Sequence, residues 1–179
     1  MNEENQTQKF IETGKRVIKA EARALEQLEN TIESSFADAV KMILAAKGRI
    51  ILSGMGKSGH IARKITATLT STGTPSYFLH PAEASHGDLG MITKGDVVIL
   101  LSNSGETPEL ANIISYSNRF KIPLIGIASN ASSSLLKNAS ISITLPKTKE
   151  ACNSDIVPTT STTMTLALGD ALAITLMEH

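Results

Sequence analysis

The chain has 179 residues, 41% of them hydrophobic, which is enough for one well-buried domain and requires no second. Its 17 basic and 17 acidic residues cancel and only 3% are aromatic, so it offers neither a basic surface nor a base-stacking platform, and nucleic acid is not expected as a partner. The single cysteine, Cys152, cannot form an internal disulfide, and the absence of a basic-then-apolar leader or a bilayer-length apolar run predicts a cytoplasmic protein without a membrane partner.

Residues 1–8 are polar and read as a frayed end. Phe10, Ile11, Val17, Ile18, Leu25, Leu28, Ile32 and Phe36 then recur at helical spacing, which predicts one long amphipathic helix, or two in succession, to about residue 46. Exposed apolar faces on this segment predict a homo-oligomer. From Lys47 onward the pattern changes to short apolar runs at 50–53, 75–79, 97–101, 123–128 and 141–145, with helical segments at 59–71, 108–120, 132–137 and 160–177. The runs are nearly all apolar, as strands buried on both faces should be. Alternation of this kind predicts an α/β fold, a doubly wound five-stranded parallel sheet of order 2-1-3-4-5 with N-terminal helices.

In that order the switch point lies between strands 1 and 3, the two strands followed by Gly/Ser turns. The stretches are RIILSGMGKSGHIARKI at 49–65 and DVVILLSNSGETPELANII at 96–114. Each places small residues where backbone N–H groups gather at a helix start, so a phosphorylated small molecule is the expected ligand. Gly54, Gly56 and Gly59 also fit the dinucleotide fingerprint, but strand 2 ends in Leu79, His80 and Pro81 and lacks the acidic residue that would hold a ribose. A Walker A loop is excluded because its first glycine would fall at Ile51. A plainer reading makes the glycines packing residues and Ser53 and Ser58 helix caps. That reading is weaker for Ser102, Asn103, Ser104 and Thr107, since four such side chains in six residues exceed the needs of one cap.

The pair GMGKSG and SNSGET, the segment HPAEASHGDLGMI and the stretch EACNSDIVPTTSTTMTLALGDALA resemble the sugar isomerase (SIS) domain of the arabinose 5-phosphate isomerase family. The resemblance covers essentially the whole chain after the first helix. It implies a flavodoxin-like sheet, and a division into a helical segment at 1–46 packed on a sugar-phosphate-binding domain at 47–179. It implies an enzyme that interconverts D-ribulose 5-phosphate and D-arabinose 5-phosphate on the route to Kdo and lipopolysaccharide. It further implies a homotetramer whose active sites are shared between subunits.

An aldose-ketose isomerase moves a proton between neighbouring carbons through an enediol and needs a base, an acid for the oxygens and a phosphate clamp. Glu109, on the first turn after the second loop, is the expected base; the plainer reading is a glutamate favoured by a helix dipole. Lys57, at the tip of the first loop, is placed to neutralise an enediolate oxygen or the phosphate, and the resemblance sets a catalytic lysine there. Only the resemblance singles out Glu150 as a further active-site carboxylate. His80 and His86 suit proton shuttling, and the resemblance makes both substrate contacts, with His86 also catalytic. Ser53, Ser102, Asn103, Ser104 and Thr107 are expected to bind substrate. Gly73 and Thr74, and Pro146, Lys147 and Thr148, are expected to do so on the resemblance alone.

His80, Glu83, His86 and Asp88 do not follow a recognised metal-ligand spacing, and enediol chemistry requires no cofactor; if zinc binds, the resemblance points to His80. His60 is expected to pack or hydrogen-bond on its helix, and the hydroxyl-rich run 158–163 reads as a helix start facing substrate. Members of the family continue past the position of His179 into a segment with another active-site histidine and paired CBS modules, so the sequence reads as an isolated SIS portion or a short form. Two other functions stay open: a regulatory module that binds a sugar phosphate without turnover, and an isomerase of another ketose phosphate.

Overall fold

The structure, a computed structural model, describes residues 3–179. Its sheet has five parallel strands in the order β2-β1-β3-β4-β5, as the alternation of strands and helices predicts. They are β1 (Ile50–Gly54), β2 (Ser76–Phe78), β3 (Val97–Leu101), β4 (Leu124–Ala128) and β5 (Ile141–Thr144). Every residue of β1, β3 and β4 is buried, because these central strands are covered on both faces. Ile51 pairs with Val98 in β3, and Ile99 with Ile125 in β4, so the apolar side chains stay in phase across the sheet.

Alternate strand residues feed two cores. Ile50, Leu52, Val97, Ile99, Leu101, Ile125 and Ile127 pack under four helices: α1 (Glu3–Glu29), α2 (Ser34–Leu44), α3 (Gly56–Ser71) and α7 (Thr160–Glu178). Ile51, Val98, Leu100 and Leu124 face α4 (Pro81–Ser85), α5 (Ala111–Phe120) and α6 (Ser134–Asn138). Among the described residues no helix is long and apolar enough to cross a membrane.

Several details depart from the sequence expectations. The described part of the amino terminus is helical from Glu3, not frayed; Glu3 and Glu4 sit in the first turn, where the positive end of the helix dipole favours carboxylates, and Thr7 Oγ1 donates to the Glu3 carbonyl at 3.1 Å. Met1 and Asn2, which belong to the same expectation, lie outside the described residues. The helical face at 10–36 divides between α1 and α2. Two short elements fill the stretch read as a loop after β2: α4 and a 3-10 turn at Asp88–Met91. The expected helix at 108–120 opens as a 3-10 turn, Pro108–Leu110, before α5 begins. The turn closes through the Leu110 N–H on the Thr107 carbonyl at 3.1 Å.

Candidate functional site

The β1–α3 turn and the loop after β3 meet at the carboxyl edge of the sheet, on neighbouring strands. The helix after β1 starts at Gly56, three residues earlier than expected, so Lys57 and Ser58 lie in its first turn and not at a loop tip. That early start depends on Gly59, where a Cβ would come within 2.6 Å of the Gly54 carbonyl oxygen; the packing reading of this glycine holds. No side chain caps α3, and its first turn contains no carboxylate.

The loop from 102 to 107 is braced from inside. The buried Ser102 hydroxyl bonds the Thr107 hydroxyl at 2.7 Å and accepts the Gly105 N–H at 3.0 Å. Gly105 has φ +70°, and a Cβ there would lie 2.2 Å from Ser133 Oγ, so only glycine lets the loop fold over α6. The Asn103 carbonyl accepts from Ser129 N and Ser129 Oγ at 2.9 and 2.8 Å, while Ser104 Oγ accepts the Glu106 N–H at 3.2 Å. Ser53, at the end of β1, is fully buried and its hydroxyl has no partner among the described residues.

A cavity of about 180 Å³ lies between the first loop, Asn103 and the start of α7, lined by Lys57, Ser58, Asn103, Ser161, Thr162 and Thr165 among others. The hydroxyl-rich run at 158–163 therefore does face the crevice. Thr165 follows Ser161 by one helical turn on the same face and was not singled out from sequence; that i, i+4 spacing of hydroxyls was the available signal.

The two candidate carboxylates differ sharply. Glu109 is exposed on the 3-10 turn, and no hydrogen bond to it exists among the described residues. Glu150 is half-buried and engaged at the head of α7: Oε2 accepts the Thr159 N–H at 2.7 Å, the Thr159 hydroxyl at 3.2 Å and the Ser161 N–H at 3.3 Å, and Oε1 accepts the Ser161 hydroxyl. Burial pushes the Glu150 carboxyl up, but the hydrogen bonds from Ser161 and Thr159 together outweigh it and hold the group below its ordinary value.

His80 caps α4, its Nδ1 accepting the Ala82 N–H at 3.2 Å, and His86 is exposed at the other end of that helix. Among the described residues no three His, Cys, Asp or Glu side chains come together as metal ligands, so this chain's own donors around His80 do not fit a zinc ion. His60 is exposed and makes no hydrogen bond among the described residues, contrary to expectation. Pro146, Lys147 and Thr148 follow β5 at the same carboxyl edge, but Gly73 and Thr74 precede β2 and line a different cavity, with Ile50 and Leu176, at the opposite end of the sheet.

Residues 42–175 match the family described as SIS domain. The chain belongs to the SIS domain family. This SIS domain is 51% identical to arabinose 5-phosphate isomerase KdsD of Pseudomonas aeruginosa over 94% of the chain and 52% of that protein. It is 48% identical to KdsD of Francisella tularensis over 90% of the chain and 50% of that protein. The chain thus spans about half the length of the curated relatives it matches. Among solved structures, an E. coli CFT073 protein in complex with arabinose 5-phosphate superimposes with a TM-score of 0.92 at 40% identity, covering 99% of this chain and 93% of that one.

Proposed function

We propose that this SIS domain is the sugar-phosphate domain of an arabinose 5-phosphate isomerase, interconverting D-ribulose 5-phosphate and D-arabinose 5-phosphate and feeding Kdo and lipopolysaccharide synthesis. The observation that carries the reading is the pairing of the braced 102–107 loop with Lys57 across one crevice at the switch point of the sheet, in a chain so similar to KdsD. In this reading Ser102, Ser104 and Thr107, with the Asn103 and Ser104 N–H groups, hold the phosphate, and Ser53 supplies its unpartnered hydroxyl. Glu109, free of other bonds, carries the proton between the first and second carbons. Lys57 neutralises the enediolate, and a histidine at His86 moves protons between the two oxygens. Glu150 keeps the Ser161 end of α7 in place beside the cavity. No cofactor is needed for these steps.

Gly73 and Thr74 lie at the far end of the sheet, so a role for them in binding requires a second subunit. The outer part of α1 supports such an assembly, since Phe10 and Ile18 are 66% and 70% exposed. A tetramer with shared sites, in a cytoplasm that keeps the free Cys152 reduced, fits both features.

The test is to incubate the chain with ribulose 5-phosphate in deuterated water and follow it by NMR. Arabinose 5-phosphate deuterated at the second carbon supports the isomerase. Binding without exchange favours a regulatory module instead, and absence of binding rejects both.

A further inference from the structure

The long N-terminal helix reaches the wall of the crevice through one side chain. Arg16 Nη1 donates to the Ala151 carbonyl at 2.8 Å, a bond that spans 135 residues of sequence. Arg16 stands about two helical turns before the buried Ala24, where α1 packs into the core it shares with α7. The anchored part of the helix therefore sets where the guanidinium can reach. Among the described residues Arg16 makes no ion pair, so the carbonyl is its partner.

The acceptor lies in a segment with little else to hold it. Residues 145–159, between β5 and α7, contain no helix or strand. Asp155 has φ +55°, which a non-glycine residue adopts at a cost, and Ile156 is 76% exposed. This same segment carries Glu150, whose carboxylate accepts the Thr159 and Ser161 N–H groups, while Pro158 and Ser161 line the cavity beside Lys57. Ala151 is fastened on both sides of its Cα: its N–H donates to Thr159 Oγ1 at 3.0 Å and its carbonyl accepts Arg16. Two flanking peptide planes are thus pinned, which fixes the direction from which Glu150 meets the head of α7.

We propose that Arg16 is a positioning residue for the crevice: it holds the 150–158 segment in the conformation that sets Glu150 on the head of α7 and Pro158 and Ser161 beside Lys57, and so strengthens binding of a sugar phosphate. The proposal rests on the reading above that the crevice takes a sugar phosphate, and it requires no turnover.

The test compares the full chain with Arg16→Met, which keeps the aliphatic stem and the helix propensity and removes the donors. Amide hydrogen exchange is expected to quicken about fivefold at Thr159 and Ser161 and to stay unchanged at Ala24 within α1. Titration calorimetry is expected to show arabinose 5-phosphate bound about fivefold more weakly. Arg16→Lys, which returns a cation without the fork, recovers part of both losses. Lys41→Met removes an exposed ion pair on α2 and, as the stability control, leaves both readouts unchanged. An Arg16→Met chain that binds the sugar phosphate like the parent overturns the proposal, whether or not its exchange quickens. Equal quickening at Ala24 overturns it as well, since that marks a general loosening of the fold. A parent chain that binds no sugar phosphate overturns the earlier reading and this one together, whereas binding by the parent with no effect of Arg16→Met overturns this one alone.

Discussion

Glu150→Gln separates a capping carboxylate from a chemically active one. In the parent chain Glu150 receives three bonds on Oε2, from Thr159 N and Oγ1 and Ser161 N, and a fourth on Oε1 from the Ser161 hydroxyl. Glutamine keeps one oxygen, so the Oε2 bonds survive in neutral, weaker form, while the Ser161 hydroxyl must turn to accept from an amide. The helix also loses a charge at its positive end. Together these changes cost about 2 kcal/mol, which for a chain of this length lowers the melting temperature by roughly 4–8 °C. The pH dependence has a definite sign. The folded carboxyl is lowered, so the folded state holds fewer protons than the unfolded one; the contribution is complete above the unfolded value and is lost as pH falls through the folded one. Urea denaturation of both chains at pH 7 should therefore show the full deficit. As pH falls from the ordinary glutamate value of about 4.3 through the lowered folded value, the two should converge. Equal stability at pH 7 would refute the capping role, and a deficit that persists undiminished in acid would refute its ionic origin.

Glu109→Gln should reduce deuterium exchange by at least about a hundredfold while changing stability by no more than about 0.5 kcal/mol, because the side chain is exposed and unbonded; exchange NMR and a urea melt read the two effects separately. Gly169→Ala should destabilise by about 1–3 kcal/mol, since the new Cβ would lie 2.3 Å from Ile65 Cγ1 where α3 and α7 touch, and adding Ile65→Ala should recover part of that loss in a double-mutant cycle. The Ser154 hydroxyl, then the Val157 N–H, lowers the Cys152 thiol to about 7, so its alkylation by iodoacetamide should be half-maximal near that pH and shift upward in Ser154→Ala.

The sheet order was legible because hydrophobic runs buried on both faces leave little room for another assignment, and short connections leave one winding. Element ends were less so. Gly56–Gly59 reads as a loop from composition, yet the helix begins at Gly56 because Gly59 lets its first turn sit against Gly54. The 102–107 loop announced itself through its hydroxyls and follows β3 at the carboxyl edge, where Asn103 lines the cavity. The engagement of Glu150 by residues nine and eleven positions later had no local signal, since it depends on where the 145–159 segment returns to α7. The isolation of Gly73 and Thr74 from the crevice was, by contrast, implicit in their place before a parallel strand.

The distribution of caps along the carboxyl edge accords with the site proposed there. The α4 start is satisfied by His80, the α6 start by Ser133 with Glu106 accepting the Ser134 N–H at 2.7 Å, and the α7 start by Glu150. The Glu106 carboxyl is held below its ordinary value by the Ser134 side chain and then its N–H, as a carboxylate committed to a helix end should be. Among the described residues, neither α3 nor the Pro108–Leu110 turn leading into α5 has a side-chain cap, and these are the elements that follow the two Gly/Ser loops. At α3 a lysine stands in the first turn, against the dipole, which is unfavourable by roughly 0.3–1 kcal/mol in the free protein. A phosphate or an enediolate bound there, as proposed, would reverse that sign for Lys57 and for the uncapped N–H groups together. Under the proposed function, the residues that weaken the free fold are those whose interactions an anionic sugar would complete, whereas Glu106 and Glu150 satisfy the starts of the neighbouring helices α6 and α7.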